Sequence, residues 1–555
     1  MSQKKLRCHT EFGVTWAERQ TLLRGLGKTP EELEKPQIAI INSWSDINHG
    51  HIHLRELAQQ VEEGVRDAGG MPWNFNTIGI CDGLAFVGSE YILPSRDLIV
   101  NEVEVLMESY KMDAMVLLAT CDKIVPAFLM AAARLDLPAI IVTGGYMDSG
   151  KLNGQKVNFV DVGRAAGGVA SGKVKMEDCI NIINRACPSP GACPMMGTAN
   201  TMCIMAEVMG MSLPGNATMF ATSRELRELS YKAGQKIVDL WDKGLNSRKI
   251  LTEEAIKNAI MTCMAVGGST NSLIHIPAVS TEAELPLDCV DFFDEASHKI
   301  PLLVGIIPNG EEHLMEDFER AGGVGALSTV LNKELFLNAM TVTGQSLKEN
   351  YSEAKVLDPT VIHSLDNPIS AEGALAILKG NIAPDGSVVK QSAVPENLMV
   401  FKGPAKVYHS NEEATTALQK GDIKAGDAVI ISLHGAKGGP GVVTTFPFTS
   451  ELAGNPLNHS VALITDGRFS GATEGACIGY VSPESALFGP LLAVQDGDII
   501  EYDIYKRTLN VLLSDDEIEK RLKAANPNIQ YRRGYLGIYQ RTVGSLLKGA
   551  VLSGK

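Results

Sequence analysis

The sequence predicts an α/β protein, with an N-terminal α/β/α domain on a parallel sheet and a C-terminal β-barrel-like domain. Three observations predict it. Apolar runs of strand length alternate with segments of helical period through the first part of the chain. The middle, from about Cys187 to Leu331, is rich in helix patterns. After about Asn367 the texture changes to short apolar runs divided by Gly, Pro and Asp. At 555 residues the chain is too long for one ordinary core. The change of texture divides it into domains 1–366 and 367–555.

The first element is Gln37–Ser43 (QIAIINS), a buried strand. His53–Ala68 follows with Leu54, Leu57, Ala58, Val61 and Val65 at helical spacing, ended by Gly69-Gly70. Asn74–Ile80 reads as the second strand and Ser95–Lys111 as a helix. Asp113–Thr120, Ile124–Leu135 and Pro138–Thr143 read as strand, helix and strand. Strands that alternate with helices imply a parallel sheet covered on both faces. Ligands of such sheets bind beyond the carboxyl ends of the strands. Cys121 stands at such an end, directly after AMVLLAT, and Cys81 is expected to follow the second strand in the same way. Thr252–Val266 is a helix of the middle region. Ala428–Leu433, Val461–Thr465 and Ile499–Ile504 are short strands, and DGDIIEYDIYKRTLNVLL alternates like a hairpin. A helix near Asp516–Ala525 closes the domain. Gly-rich loops fall in both halves, which places the active site between the domains.

Composition narrows the function. Hydrophobic residues make up 45% and charged residues 21%, as in soluble globular proteins. A net charge of -15 argues against nucleic acid and anionic membranes as partners, since both need basic surface. The start has no signal-peptide pattern and no segment approaches a membrane span, so a cytoplasmic location is expected. The ten cysteines are spread over the whole chain, a pattern of core fillers with a minority of metal ligands.

The candidate residues allow two readings each. Cys121-Asp122-Lys123 is a metal site or a half-buried thiol beside a surface ion pair. Cys187 and Cys193 flank a Pro/Gly-rich turn, which either holds thiolates outward under backbone N–H groups or is purely structural. Their spacing fits neither a zinc pair nor a ferredoxin run. Cys81-Asp82-Gly83 is a third thiol candidate or a small core residue before a turn. His49, His51 and His53 stand at a helix start, where capping and substrate contact are expected rather than metal ligation. Lys437–Gly441, Asp466–Thr473 and Gly267–Asn271 are loops whose backbone could approach an anion, or plain turns.

Taken together, these segments resemble the dihydroxy-acid dehydratase / 6-phosphogluconate dehydratase family of iron–sulfur dehydratases. The matching pieces run from about residue 36 to 515: GHIHLRELAQQVEEGV, AGGMPWNFNTIGICDG, LPSRDLI, CDKIVP, GACPMMGTANTM, GGSTN, GAKGGPG, ALITDGRFSGAT and DGDII. The motifs are closest to the dihydroxy-acid branch.

The resemblance implies a hydro-lyase and an iron–sulfur cluster held by Cys121 and Cys193. Some members carry a further Cys where this chain has Gly50, so a [2Fe-2S] site of that kind lacks a ligand here. Cys81 stands where the 6-phosphogluconate branch also has Cys-Asp-Gly. The expected cofactor is therefore a [4Fe-4S] cluster on Cys81, Cys121 and Cys193, with [2Fe-2S] as the alternative. A magnesium ion near Asp82, Asp122 and a carbamylated Lys123 is also implied. Two departures bear on it: Thr444 replaces a glutamate, and the loop LAFVGSEYILP is about two residues short.

The resemblance makes Ser470 the general base. Expected substrate contacts are Ser269, Thr270, Asn271, Gly438, Gly439, Gly441, Arg468 and Thr473. The implied substrate is 2,3-dihydroxy-isovalerate or its methylvalerate homologue, in branched-chain amino-acid biosynthesis. A sugar acid is the alternative, and a non-catalytic iron–sulfur paralogue a third reading. Family members are homodimers or homotetramers, and the same is expected here.

Overall fold

A computed structural model describes residues 5–310, 312–470 and 473–552; Gly471 and Ala472 of the expected serine turn lie outside that set. β1 (Gln37–Asn42), β2 (Met71–Asn76), β3 (Ala114–Ala119) and β4 (Ala139–Thr143) form a parallel sheet in the order β2-β1-β3-β4. β1 and β3 lie in the middle and are buried along their whole length, which is why β3 and the Ile38–Ile41 stretch of β1 are continuously apolar. The strand order reverses between them, so a crevice opens at their carboxyl ends.

Helix Leu54–Asp67 covers one face with Leu54, Leu57, Ala58, Val61 and Val65, the residues its periodicity marks. Its partner is helix Arg224–Lys243. The two backbones touch. A Cβ on Gly64 would lie 2.0 Å from the Tyr231 carbonyl oxygen, and one on Gly234 2.2 Å from that of Val61.

The second strand differs from the expectation. It starts at Met71 and ends at Asn76 rather than running from Asn74 to Ile80. Thr77 N still donates to Asn42 O at 3.0 Å, and then the chain leaves the sheet. Gly79 passes so close to the β1 loop that a Cβ there would meet Ser43 O at 2.4 Å and His51 Nδ1 at 2.8 Å. Cys81 therefore sits in a loop beyond the strand, not at the strand's end.

A small hairpin follows, β5 (Gly150–Leu152) with β6 (Gln155–Val157). The helical middle includes Thr198–Val208, Glu253–Val266 and Ser272–Glu282. Thr252 caps the second of these by accepting from Ala255 N. Gly267, at φ 72°, ends it.

The C-terminal domain is a closed eight-stranded barrel. Its strands are β7 (Ala376–Gly380), β8 (Ala383–Val389), β9 (Val400–Tyr408), β10 (Ala428–Ile431), β11 (Ala462–Thr465), β12 (Ala476–Ser482), β13 (Ile499–Asp503) and β14 (Thr508–Val511). Around the barrel they run β10-β11-β12-β8-β7-β14-β13-β9. The expected hairpin is present: β13 and β14 pair antiparallel, with Ile500, Tyr502, Leu509 and Val511 buried and their neighbours less so. Closure removes the sheet edges.

The two domains are tied together. Helix Phe446–Ala453 packs on helix Phe159–Ala170. The C-terminal segment returns to the first domain, where the fully buried Arg96 donates through Nη2 to the carbonyls of Gly549 (2.7 Å) and Ala550 (3.0 Å). Among the described residues, no helix is long and apolar enough to cross a membrane.

The helix contact at Gly64 gives the first prediction. Gly64→Ala should lower the free energy of unfolding by about 1–3 kcal/mol, the usual cost of overpacking. Gly25→Ala, which has open space around it, should not. Urea unfolding midpoints of the two variants check this.

Candidate active site

Cys121 is the reference point of the cleft. Its amide donates to His51 Nε2 at 3.0 Å, and His51 Nδ1 bonds Ser43 O at 2.7 Å. The first bond makes Nε2 an acceptor, so Nδ1 carries the proton and the ring is neutral. Complete burial pushes His51 down to about 4, consistent with that state. The Cys121 thiol donates to Asn48 Oδ1 at 3.5 Å, and Asn48 Nδ2 holds Gly79 O at 3.0 Å. A Cβ on Gly50 would lie 2.8 Å from Cys121 Sγ.

The expected capping by the His cluster is not observed. His53 occupies the N-cap of helix Leu54–Asp67 but makes no capping bond. Its Nε2 bonds Gly144 O at 2.6 Å instead, because the crevice brings the β4 end within reach.

The other thiols gather here. Cys81 and Cys121 are hydrogen-bonded to each other, which lowers Cys81 and, with burial, raises Cys121 well above the ordinary thiol range. Cys193 is raised first by burial and then by the neighbouring Cys187 and Cys81. Asn200 Nδ2 clamps its turn by donating to Cys193 O and Met195 O, both at 2.7 Å. Cys187 lies at the exposed rim of the same group. Among the described residues, no three His, Cys, Asp or Glu side chains converge tightly enough to share one metal ion.

A buried polar group lies beside the thiols. Lys123, 1% exposed, faces Asp82 at 3.2 Å and Asp122 at 3.8 Å. Burial lowers its pKa, against the pull of Asp82. Burial raises that of Asp122, and Asp82 raises it further. Arg468 Nη1 approaches the same Asp82 carboxylate at 3.5 Å while its Nε donates to Val442 O. His275, which the motifs did not single out, is fully buried with Nδ1 3.4 Å from Arg96 Nη1. Burial and the cations Lys123, Arg96 and Arg468 keep it neutral. Asp82 Oδ1, Arg468 Nη2, His275 Nε2, Thr270 Oγ1 and Thr473 Oγ1 are all buried without a partner. Such atoms are costly in a folded chain unless a ligand satisfies them.

The expected substrate contacts divide into two groups. Thr270, Arg468 and Thr473 have these open atoms. Ser269 and Asn271 are occupied internally. Ser269 Oγ pairs with Thr198 Oγ1 at 2.9 Å and accepts from Asn271 N at 3.2 Å. Asn271 Nδ2 donates to Thr198 Oγ1 and to Phe469 O, and its Oδ1 accepts from Tyr480. The glycine loop is also filled. Lys437 N and Gly438 N donate to the Glu484 carboxylate at 3.0 and 3.1 Å, Gly439 N to Gly435 O, and Gly441 N to Ala436 O. A carboxyl group does occupy this nest, but it belongs to the chain itself, as Glu484.

Ser470 is half-buried at the domain boundary. Asn271 holds the preceding Phe469 carbonyl from the first domain at 3.3 Å. Thr445 N holds that of Arg468 at 2.9 Å. Thr444 is buried, and its hydroxyl accepts from Phe446 N at 3.2 Å.

Thiols from three loops thus lie beside a charged pocket, to which the barrel domain brings Arg468 and the serine loop. Residues 35–350 match the family model for the dihydroxy-acid/6-phosphogluconate dehydratase N-terminal domain, and residues 360–550 that for its C-terminal domain. The chain is similar to proteins named dihydroxy-acid dehydratase. That of Methanococcoides burtonii is 45% identical over 98% of this chain and 99% of its own length. That of Methanothermobacter thermautotrophicus is 46% identical over 97% and 98%. That of Caldicellulosiruptor saccharolyticus is 45% identical over the same shares. The chain belongs to the dihydroxy-acid/6-phosphogluconate dehydratase family.

Glu484 gives a pH prediction. Burial first, then Asp466, pushes its pKa from the ordinary 4.5 up to about 7. The fold therefore favours the protonated acid. The contribution to stability is complete below 4.5 and is lost as pH rises through about 7. It amounts to at most about 3 kcal/mol. The thermal midpoint should fall more between pH 5 and pH 8 in wild type than in Glu484→Gln; parallel profiles would count against it.

Proposed function

We propose that this chain dehydrates short 2,3-dihydroxy acids, 2,3-dihydroxy-isovalerate and its methylvalerate homologue first, to 2-keto acids in branched-chain amino-acid biosynthesis. The observation that carries the reading is the meeting of Cys81, Cys121 and Cys193 with the Ser470 loop around one buried polar space. Near-full-length likeness to proteins named dihydroxy-acid dehydratase supports it. A sugar acid is the second reading, favoured by Cys81-Asp82-Gly83.

The family uses an iron–sulfur cluster. Cys81, Cys121 and Cys193 would hold it, as a four-iron cluster in preference to [2Fe-2S], because Gly50 offers no thiol. When bound, it supplies a Lewis acid for the departing hydroxyl. Asp82, Asp122 and a carbamylated Lys123 would hold magnesium; Thr444 brings no further carboxylate, since its hydroxyl is turned to the Phe446 amide.

The chain's own residues supply the rest. Arg468 Nη2 and the Thr270 and Thr473 hydroxyls anchor the substrate carboxylate. Ser269 and Asn271 shape that loop, and Gly438, Gly439 and Gly441 fix the backbone opposite it. Ser470 Oγ takes the C2 proton. A serine alkoxide is too basic to form alone, so the Arg468 cation lowers its cost. The C2–H electron pair becomes the C2–C3 double bond as the C3–O bond breaks and hydroxide leaves. The enol then tautomerises to the keto acid.

We further place the protein in the cytoplasm as a homodimer or homotetramer, with the domain boundary between 366 and 367. Helix Val14–Gly25 buries none of its residues, and Phe12, Val14, Leu22 and Leu26 are exposed, a surface that a second copy would cover.

Two measurements test the chemistry. Ser470→Ala should abolish keto-acid formation while the cluster absorbance is retained; substantial remaining turnover would refute the base assignment. Anaerobic iron and sulfide analysis with Mössbauer spectroscopy should report a four-iron cluster, and a stable two-iron cluster would overturn that assignment.

A further inference from the structure

The turn that leaves β8, Lys390–Ala393, touches the loops that carry Thr270 and Ser470. Lys390 Nζ donates to Gly267 O at 3.0 Å, at the start of the Thr270 loop. Ser392 Oγ donates to Asn309 Oδ1 at 2.8 Å, and Asn309 Nδ2 donates to the same Gly267 O at 2.9 Å. Ala393 O accepts from Gly475 N at 2.9 Å, at the end of the serine turn. The start of that turn is held by Asn271, whose Nδ2 donates to Phe469 O at 3.3 Å. Segments 267–271, 469–475 and 390–393 therefore close a ring across the domain boundary. The ring has little slack at Gly267, where a Cβ would lie 2.2 Å from Asn309 Nδ2.

Lysine is an unfavourable residue for this place. Lys390 is 6% exposed, and burial pushes its pKa down to about 7. Cys263, on helix Glu253–Val266, and Glu474, just after the serine turn, pull the other way. A buried amine costs stability that an apolar side chain would not. Gly267 O also has the Asn309 amide, so satisfying that carbonyl does not explain the lysine.

We propose that Lys390 is a positioning residue for the reaction: it closes the ring and so holds the Ser470 hydroxyl in register with a substrate bound at Thr270 and Thr473. The kinetic consequence rests on the dehydratase reading above, whereas the tie between the loops does not. A base displaced by about 1 Å from the proton it must take loses about 100-fold in rate.

The test uses anaerobically reconstituted holoenzyme carrying Lys390→Met, Lys390→Arg or Ser392→Ala. Cluster absorbance and thermal midpoint show that each variant is loaded and folded. Lys390→Met should lower kcat for 2,3-dihydroxy-isovalerate by about 10- to 100-fold, with a smaller change in KM and no fall in thermal midpoint. Lys390→Arg, which keeps a cationic donor, should recover most of that loss. Hydrogen–deuterium exchange in Lys390→Met should quicken by about 10-fold or more in peptides covering 267–271 and 469–475, and not in helix Leu54–Asp67. Ser392→Ala should show the same pattern more weakly, and it decides the matter if the Lys390 variants do not fold. Unchanged exchange in either loop, or an unchanged kcat in Lys390→Met, would overturn the proposal. So would a lowered midpoint with faster exchange throughout the chain, which is the mark of a purely structural residue. A wild type that dehydrates no dihydroxy acid would overturn the dehydratase reading, and exchange in the two loops would then decide the ring by itself.

Discussion

The hydrogen bond from the Cys121 amide to His51 Nε2 fixes the geometry of the cleft. It joins the loop after β1 to the end of β3, the two strands between which the sheet order reverses. Because the same ring also bonds Ser43 O, its orientation and tautomer are set by backbone on both sides. Asn48 extends the link to Gly79, and the chain through Gly79 delivers Cys81 beside Cys121. Two segments far apart in sequence thereby present thiols to one space, and the Cys193 turn adds a third. The arrangement needs small residues as much as polar ones, since side chains at Gly50 or Gly79 would strike the Cys121 sulfur or the His51 ring.

Electrostatics divide the cleft into parts with different tasks. The glycine nest after β10 is saturated by Glu484 and serves to hold its own loop in shape. The open polar atoms cluster elsewhere, on Asp82, Arg468, His275, Thr270 and Thr473. Burial and the cations Lys123, Arg96 and Arg468 keep His275 neutral, so it adds no further positive charge among them.

Much of the architecture was legible in the chain. The apolar runs of β1 and β3, the spacing of Leu54, Leu57, Ala58, Val61 and Val65, and the alternation of β13 and β14 each express one local rule of burial. The second strand was misplaced because its end is decided by the Gly79 crossing, a contact between segments. The His cluster was read as capping for the same reason: His51 and His53 bond backbone at Cys121, Ser43 and Gly144, none of it local. Arg96 and His275 carried no distinguishing local pattern, and only burial in the fold marks them.

The sequence by itself determined the class of fold, the family, and which thiols and which serine were available, because these depend on local period and on motifs that survive being read one segment at a time. The tertiary structure decided which of those groups meet and which backbone amides are already taken. Those properties arise where segments from both domains converge, and burial there fixes charge, partner and access together.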